Sequence, residues 1–175
     1  MCGIIAAASN RNVGELLVEG LHKMEYRGYD SAGLALHQEK NIAHLRTLGK
    51  VSLLEEKLKL ANPSSTLGIA HTRWATHGEP SEKNAHPHKS NERIYIVHNG
   101  IIENHLELKS FLVNQGYQLI SETDSDVIGH LLDYFLSQGS NILDAIYLTK
   151  EKLDGAYAIA ILDVCLLYTS PSPRD

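Results

Sequence analysis

The sequence predicts an α+β domain made of layered strands and helices. Two patterns indicate this class: short apolar segments of strand length recur along the chain, and longer segments carry apolar residues at helical spacing. The chain has 175 residues, of which 43% are hydrophobic and 21% charged, an ordinary globular composition. A chain of this length can bury one sizeable core, so we expect one domain.

The first half of the chain is predicted to start with a strand, because residues 3–8 form a short apolar segment. Asn12 can cap the helix that follows, with Glu15 three residues later and apolar residues at helical spacing. Further apolar segments predict three more strands and a short helix. Their predicted ranges are strands 32–37, 42–47 and 67–72 and a helix at 51–60, with a polar turn at 38–41.

The second half is predicted to contain two strands and three helices. Residues 73–91 precede them as a loop rich in Gly, Pro, Asn, Ser and His. Gly116 suits the left-handed end of the first helix, and the second helix begins near Asp124 or Ser125. The segment 156–162 is almost continuously apolar, which is typical of a strand covered on both faces. The remaining predicted ranges are a strand at 94–97 and a helix at 142–153.

Charge and composition exclude several classes of protein. The net charge is −5 and Lys and Arg do not gather into a run, so we expect no nucleic-acid partner. No apolar segment approaches the roughly 20 residues that span a bilayer, and the start lacks the pattern of a secretory signal. Cys2 and Cys165 lie far apart and predict no disulfide framework. We expect a cytoplasmic protein with no membrane partner and no cofactor.

Cys2 is the first residue with catalytic potential. The initiator Met is removed before small side chains, which would leave a thiol and a free α-amine on Cys2. A free cysteine has a pKa of about 8.5 and an α-amine one of about 7.7–8.0, so the amine can accept the thiol proton near neutral pH. Nucleophile and base then belong to one residue, as in enzymes with an N-terminal Thr. A Met-Cys start alone is also compatible with no catalytic role.

The loop after the strand at 67–72 carries residues suited to binding. Arg73 has a planar fork that can bind both oxygens of a carboxylate. Trp74 is the only Trp of the chain, and in a polar loop it can cover a ligand. The loop also allows a metal site, although no carboxylate or cysteine completes a convincing ligand spacing. That alternative would use His71, His77, His86 and His88.

Two further segments can bind a polar ligand. Asn99 and Gly100 follow the strand at 94–97, where a side-chain amide and a backbone N–H can point at one spot and hold an oxyanion. An Asn-Gly turn is the alternative for the same pair. Asp124 lies in an acidic segment before a helix, where helix capping is the default role.

Five segments, taken together and in this order, resemble the glucosamine-6-phosphate synthase family, the glutamine:fructose-6-phosphate amidotransferases. The resemblance covers about residues 2–163. Other class II glutamine amidotransferases share the Cys start, the Arg-Gly turn and the Asn-Gly pair, whereas the Tyr-flanked turn and the His-rich loop resemble this family rather than the amidophosphoribosyltransferases. The segments are CGII at 2–5, EYRGYDSAG at 25–33, HTRWATHGEPSEKNAHPH at 71–88, VHNGIIENH at 97–105 and SETDSD at 121–126.

The resemblance implies a fold and an activity. The fold is a four-layer αββα sandwich of the N-terminal nucleophile hydrolase type, with two facing antiparallel sheets. The activity is glutamine hydrolysis, which in the full-length homodimeric enzyme supplies ammonia for making glucosamine-6-phosphate from fructose-6-phosphate bound to a later domain. Because the family's glutaminase domain continues past Asp163, we expect an incomplete domain over 2–163. Residues 164–175 are expected to be an atypical tail, either an artefact or disordered.

The resemblance also implies a role for each candidate site residue, with no metal. Cys2 is the nucleophile and its amine the base, while Asn99 and Gly100 form the oxyanion hole. Arg73 holds the α-carboxylate of glutamine and Asp124 holds its α-ammonium. The remaining assignments are Thr76 and His77 in the pocket wall, Trp74 in a lid or ammonia gate, and Arg27 near the Cys terminus.

Three alternatives stay open. The chain could be another class II amidotransferase, such as an amidophosphoribosyltransferase. It could be a metal-dependent hydrolase that uses the loop histidines. It could also be an inactive fragment that only binds glutamine.

Overall fold

The structure is a computed structural model that describes residues 2–38, 41–75 and 78–165. Strands and α-helices are interspersed along this part of the chain. The strands are β1 Gly3–Ala8, β2 Ser31–His37, β3 Ile42–Leu48, β4 Leu67–Arg73, β5 His88–Ser90, β6 Ile94–Ile102 and β7 Gly155–Asp163. The helices are α1 Gly14–Met24, α2 Val51–Ala61, α3 His105–Asn114, α4 Asp126–Ser137 and α5 Ile142–Lys152.

Two antiparallel sheets pack face to face and are covered by helices on their outer faces. The first sheet has the strand order β1-β4-β2-β3 and the second β5-β6-β7. Helices α1 and α2 cover the first sheet through an apolar core that includes Leu17, Leu34 and Leu54. Helices α3, α4 and α5 cover the second sheet through a core that includes Ile96 and Leu132. The predicted four-layer αββα arrangement is therefore confirmed.

The layer between the sheets is apolar in its middle and polar at one end. Ile69 on β4 and Val97 on β6 belong to the small apolar cluster between the sheets. Because strand residues alternate between faces, His71 and Asn99, two positions further along, turn toward the same layer. His71 Nε2 accordingly donates to a carbonyl of β6, and Asn99 Nδ2 donates to the carbonyl of Cys2. This polar end of the layer holds the candidate site.

Most predicted elements are confirmed, with ends that move by one or two residues. The first strand has the predicted range, and the helix predicted at 51–60 runs over Val51–Ala61. Gly116 has φ +89 at the end of α3, as a left-handed cap requires. Asn12 plays a different part from the predicted cap. Its Oδ1 accepts from the N–H groups of Gly14 and Ser65 and so joins the start of α1 to the chain before β4.

Three features of the strands differ from the prediction. The predicted loop at 73–91 ends in a strand, β5, which pairs with β6. The strand predicted at 94–97 continues to Ile102, so the alternative Asn-Gly turn at Asn99 is wrong. The last strand, β7, pairs only with β6 among the described residues, and only its last two residues are buried. It is an edge strand and is not covered on both faces. The extension of β6 arises from pairing with β7, a distant segment of the chain that local patterns do not record.

No helix in the described part of the chain is both long enough and apolar enough to cross a bilayer.

Candidate active site

A cleft between the two sheets collects most of the residues predicted for catalysis. It is narrow in this structure, with about 20 Å³ of space, well below the roughly 300–1,000 Å³ of ligand pockets. Five predicted residues meet there, from distant parts of the sequence: Cys2, Arg73, Trp74, Gly100 and Asp124. The described residues that line it are Cys2, Arg73, Trp74, His86, His98, Gly100, Thr123, Asp124 and Ser125.

The Cys2 sulfur contacts backbone rather than a catalytic side chain. Its Sγ accepts a hydrogen bond from the Trp74 N–H at 3.3 Å. Burial raises the pKa of the Cys2 thiol, while that N–H and the Arg73 guanidinium act in the opposite direction. Within the described residues, no imidazole or carboxylate is hydrogen-bonded to the sulfur. A thiol with a raised pKa needs a base, and no described side chain is placed to be one.

The turn before β2 supports the loop after β4. Asp30 Oδ2 accepts from the Ala75 N–H at 2.6 Å, and the Asp30 N–H donates to the Arg73 carbonyl at 3.1 Å. A Cβ added to Gly28 would lie 2.6 Å from the carbonyl carbon of Arg73. The turn therefore approaches the peptide between Arg73 and Trp74 so closely that a side chain does not fit. This contact holds the Trp74 N–H at the sulfur of the nucleophile.

Replacing Gly28 by alanine is expected to lower the free energy of unfolding by about 1–3 kcal/mol, because the new methyl group meets backbone that must move. Urea denaturation measures this change. Gly129→Ala is the matched control, since the nearest atoms to its Cβ lie at 3.7 Å and alanine favours the α4 helix. Equal stability of the two variants would contradict the close-approach explanation.

Arg73 and Asp124 place opposite charges on the wall of the cleft although both residues are buried. Arg73 donates to the carbonyl oxygens of Gly78 at 3.0 Å and Glu79 at 3.4 Å. Burial lowers the pKa of Arg73, and nearby carboxylates act to raise it. Asp124 Oδ2 accepts from the Ile102 N–H at 2.8 Å, at the end of β6. A free amino acid carries both complementary charges and is the ligand class that such a pair can recognise.

Asn99 and Gly100 lie beside the nucleophile on the neighbouring sheet. Asn99 Nδ2 donates to the carbonyl oxygen of Cys2 at 3.2 Å. Gly100 has φ +142, and a Cβ there would lie 2.2 Å from the Ala156 carbonyl oxygen on β7. Both the backbone conformation and the contact therefore require glycine at position 100. A side-chain amide and a glycine backbone are thus held at the cleft by strand pairing.

Four buried histidines pack together next to the cleft: His71, His86, His88 and His98. Ring centres are 4.2 Å apart for His71 and His86 and 4.4 Å apart for His86 and His88. Burial lowers the pKa of His71 to about 3 and lowers the pKa of His86 and His88 well below the ordinary value. These three rings are therefore neutral near neutral pH.

The metal alternative depends on these histidines. In the described part of the chain, no three His, Cys, Asp or Glu side chains are arranged to hold a metal ion. His77, one of the four ligands of that alternative, lies outside the described residues.

The other predicted site residues fall in different places. Trp74 is 44% exposed at the rim of the cleft and contacts Tyr29 edge-to-face, with ring centres 5.7 Å apart. Arg27 donates to the Tyr26 hydroxyl at 3.1 Å on the exposed surface and is not among the described residues that line the cleft. Its role near the Cys terminus stays a prediction. Thr76 and His77 lie outside the described residues, so their predicted roles stay predictions.

The sequence analysis did not single out Asp30 or Ser125. Asp30 holds the Ala75 N–H, as described above. Ser125 Oγ lies 2.7 Å from His98 Nδ1 and donates to Asp124 Oδ1 at 3.4 Å, so it links two residues of the cleft. The acid directly after a Gly-Tyr turn was an available signal for Asp30. Ser125 carried none, because a serine before a helix is expected as a cap.

The family model for the glutamine amidotransferase domain matches residues 71–166, more than half of the chain. The chain belongs to this family. Curated relatives of this amidotransferase domain carry the name glutamine–fructose-6-phosphate aminotransferase (isomerizing). The proteins of Photorhabdus laumondii, Vibrio cholerae and Salmonella typhi are 52%, 51% and 53% identical to it over 93% of its length. The chain spans 27% of the length of each of these relatives.

Solved structures share the fold of this glutamine amidotransferase domain. The glutamine phosphoribosylpyrophosphate amidotransferase of B. subtilis superposes with a TM-score of 0.80 at 24% identity, over 94% of this chain and 35% of that one. A class II glutamine aminotransferase domain protein of Silicibacter pomeroyi superposes with a TM-score of 0.61 at 16% identity, over 94% and 73%. The predicted N-terminal nucleophile hydrolase type of sandwich is confirmed. At these identities the likeness concerns fold alone, so it does not favour the amidophosphoribosyltransferase alternative.

Proposed function

We propose that this domain hydrolyses glutamine to glutamate and ammonia with Cys2 as the nucleophile. The observation that carries the proposal is the meeting of Cys2, Arg73, Gly100 and Asp124 around one cleft between the sheets. Each brings a group that the reaction needs. The thiol attacks the amide, the two charges bind an amino acid, and the glycine backbone lies where an oxyanion donor is required.

The reaction begins when removal of Met1 frees the α-amine of Cys2, which takes the thiol proton. The thiolate attacks the side-chain amide carbon of glutamine and forms a carbon–sulfur bond and an oxyanion. Asn99 and Gly100 donate hydrogen bonds to that oxyanion. The protonated amine gives its proton to the departing ammonia. Water then hydrolyses the thioester and releases glutamate.

The α-amine is the base that the surroundings of Cys2 favour. Burial raises the pKa of the thiol, so near neutral pH the thiol needs help to ionise. Two histidines, His86 and His98, line the same cleft, but burial lowers the pKa of both, and neither is hydrogen-bonded to the sulfur. An α-amine with an ordinary pKa of about 7.7–8.0 is poised to accept the proton.

Arg73 and Asp124 would position the substrate. The Arg73 guanidinium can bind both oxygens of the α-carboxylate, and the Asp124 carboxylate can accept from the α-ammonium. The side-chain amide of glutamine then points toward Cys2 and the end of β6. Thr76 and His77 complete the pocket wall in this proposal.

In a protein of the relatives' full length, the ammonia would pass to a second domain. That domain would bind fructose-6-phosphate and form glucosamine-6-phosphate, with Trp74 as the gate or lid between the two sites. The printed name of the relatives supports this substrate. We expect such a protein to be a cytoplasmic homodimer.

Asn99→Ala is expected to slow glutamine hydrolysis about 100- to 1,000-fold, because one oxyanion donor is lost in the transition state. The KM for glutamine should change little, since the donor acts after binding. The rate at which the Met1-free chain releases glutamate and ammonia, measured over a range of glutamine concentrations, gives the hydrolysis rate and the KM. The two products should appear in equal amounts. Asn114→Ala, at the exposed end of α3, is the control and should keep the full rate. An Asn99 variant as fast as this control would contradict the assignment.

Titration with glutamine separates hydrolysis from binding alone. Trp74 is the only Trp of the chain and lies at the rim of the cleft, so its fluorescence should change when glutamine binds. A fluorescence change without glutamate release would identify a chain that only binds glutamine.

A further inference from the structure

Buried imidazole nitrogens next to the cleft have no hydrogen-bond partner among the described residues. His86 is 4% exposed, and both of its ring nitrogens are unpartnered. The same is true of His71 Nδ1 and His98 Nε2, on rings that are 0% and 3% exposed. A buried polar atom left without a partner destabilises the fold, because it has lost its hydrogen bonds to water. The unpartnered nitrogens of His86 and His98, two rings that line the cleft, indicate a bound molecule that satisfies them.

The hydrogen-bonding capacity of the rings defines that molecule. His71 Nε2 lies 2.9 Å from the carbonyl oxygen of His98, which can only accept, so Nε2 carries the proton and Nδ1 is an acceptor. A neutral His86 offers one donor and one acceptor. The nitrogens of His86 and His98 therefore need a small molecule that can both donate and accept hydrogen bonds, as water does.

The space in the cleft fits one water molecule. About 20 Å³ is open to the centre of a water molecule, and a buried water needs at least about 10–15 Å³ by this measure. His86 and His98 line this space together with Cys2, and their ring centres are 6.5 Å apart. Two hydrogen bonds of about 2.8 Å each can bridge two rings at that separation.

We propose that His86 and His98 bind a water molecule in the cleft and that this water hydrolyses the Cys2 thioester. The second part rests on the proposed glutamine hydrolysis. In the step, the water oxygen bonds to the thioester carbonyl carbon and the carbon–sulfur bond breaks. One water proton passes to the sulfur, and the glutamate side chain leaves as the acid. His86 and His98 are positioning residues, because they act on the substrate through the water.

Water relaxation measurements test the site without using activity. Magnetic relaxation dispersion counts long-lived internal waters, and His86→Leu should lose one relative to the parent chain. His22→Leu is the matched control. His22 is exposed on α1 and its ring is hydrogen-bonded to Glu55, so its replacement should leave the count of long-lived waters unchanged. An unchanged count in His86→Leu overturns the site. If that variant does not fold, the parent chain is tested by NMR. A contact between the His86 ring and a slowly exchanging water supports the site, and its absence overturns the site.

Hydroxylamine competition tests the role of the water. Hydroxylamine captures the thioester as a hydroxamate, so the ratio of glutamate to hydroxamate reports how well water attacks. His86→Leu should lower this ratio by up to about 100-fold, because attack by water slows relative to attack by hydroxylamine on the same thioester. An unchanged ratio overturns the role in hydrolysis. If the parent chain releases no glutamate at all, the proposed function is refuted. The count of long-lived waters then still tests whether His86 and His98 bind a water.

Ammonia has similar hydrogen-bonding groups and is a product of the proposed reaction. Addition of ammonium chloride distinguishes water from ammonia as the bound molecule. If water is the resident, the count of long-lived waters stays unchanged at millimolar ammonium. Displacement of the water would assign the site to ammonia and overturn the proposal.

Discussion

Cys2→Ala is expected to abolish glutamine hydrolysis and to leave glutamine binding intact. The substitution removes the atom that forms the covalent bond, and loss of a nucleophile costs roughly 10⁴- to 10⁶-fold in rate. Binding should persist, because the charged groups of Arg73 and Asp124 recognise the backbone end of glutamine and are untouched. Glutamate release measures the rate, and the fluorescence of Trp74 measures binding.

Cys165→Ala is the matched control for this experiment. Cys165 is the other cysteine of the chain and is exposed, so its removal should leave the rate unchanged. A second control keeps Met1 in place, which blocks the α-amine without altering the thiol. Mass spectrometry of the active protein identifies the N-terminal residue. Full activity in molecules that retain Met1 would refute the α-amine as base, whereas hydrolysis by the Cys2 variant would refute Cys2 as nucleophile.

Acidification from pH 6.5 to 5.5 is expected to destabilise the fold by about 3 kcal/mol. The cause is the buried histidine cluster of His71, His86 and His88, whose pKa values are lowered by burial. In the unfolded chain these rings bind protons below about pH 6.5, whereas in the folded chain they stay neutral. The stability that they contribute is therefore full above pH 6.5 and is lost as the pH falls toward the folded pKa values.

The size of the acid effect follows from the number of rings. Between pH 6.5 and 5.5 each ring that is protonated only on unfolding contributes about 1 kcal/mol, because the unfolded ring is already half protonated at pH 6.5, and three rings reach roughly 3 kcal/mol. Domains have a total stability of about 5–15 kcal/mol, so a large part of it is expected to be lost by pH 5. Urea denaturation at each pH measures the slope.

His71→Gln tests the source of the acid effect. The Gln amide can still donate to the His98 carbonyl, but it does not titrate, so the slope should fall by about one third. A parent chain whose stability is flat between pH 6.5 and 5 would contradict the prediction, as would a variant with an unchanged slope.

The order and type of the regular elements were predictable because they depend on residues close together in the chain. The apolar segment at 3–8, the helical spacing at 51–60 and the glycine after α3 act through local geometry. The extent of β6 was not predictable in this way. Its second half is held by pairing with β7, more than 50 residues later, and residues such as Asn99 and Gly100 favour a turn when judged locally.

The chemistry of the site shows the same division. Cys2, Arg73, Asn99, Gly100 and Asp124 could be named from residue type and from family resemblance. Their meeting in one cleft, the support of the Arg73 loop by the turn at Gly28, and the burial of the histidines could not be read from spacing.

The sequence by itself determined which reactive groups the chain contains and which local elements carry them, because side-chain chemistry and periodicity are local properties. The tertiary structure alone decided the environment of those groups. The raised pKa of the Cys2 thiol and the neutral histidine rings depend on burial between two sheets, and the packing of those sheets brings Arg73 and Asp124 to one cleft. Burial is set by contacts between residues that lie far apart in the chain.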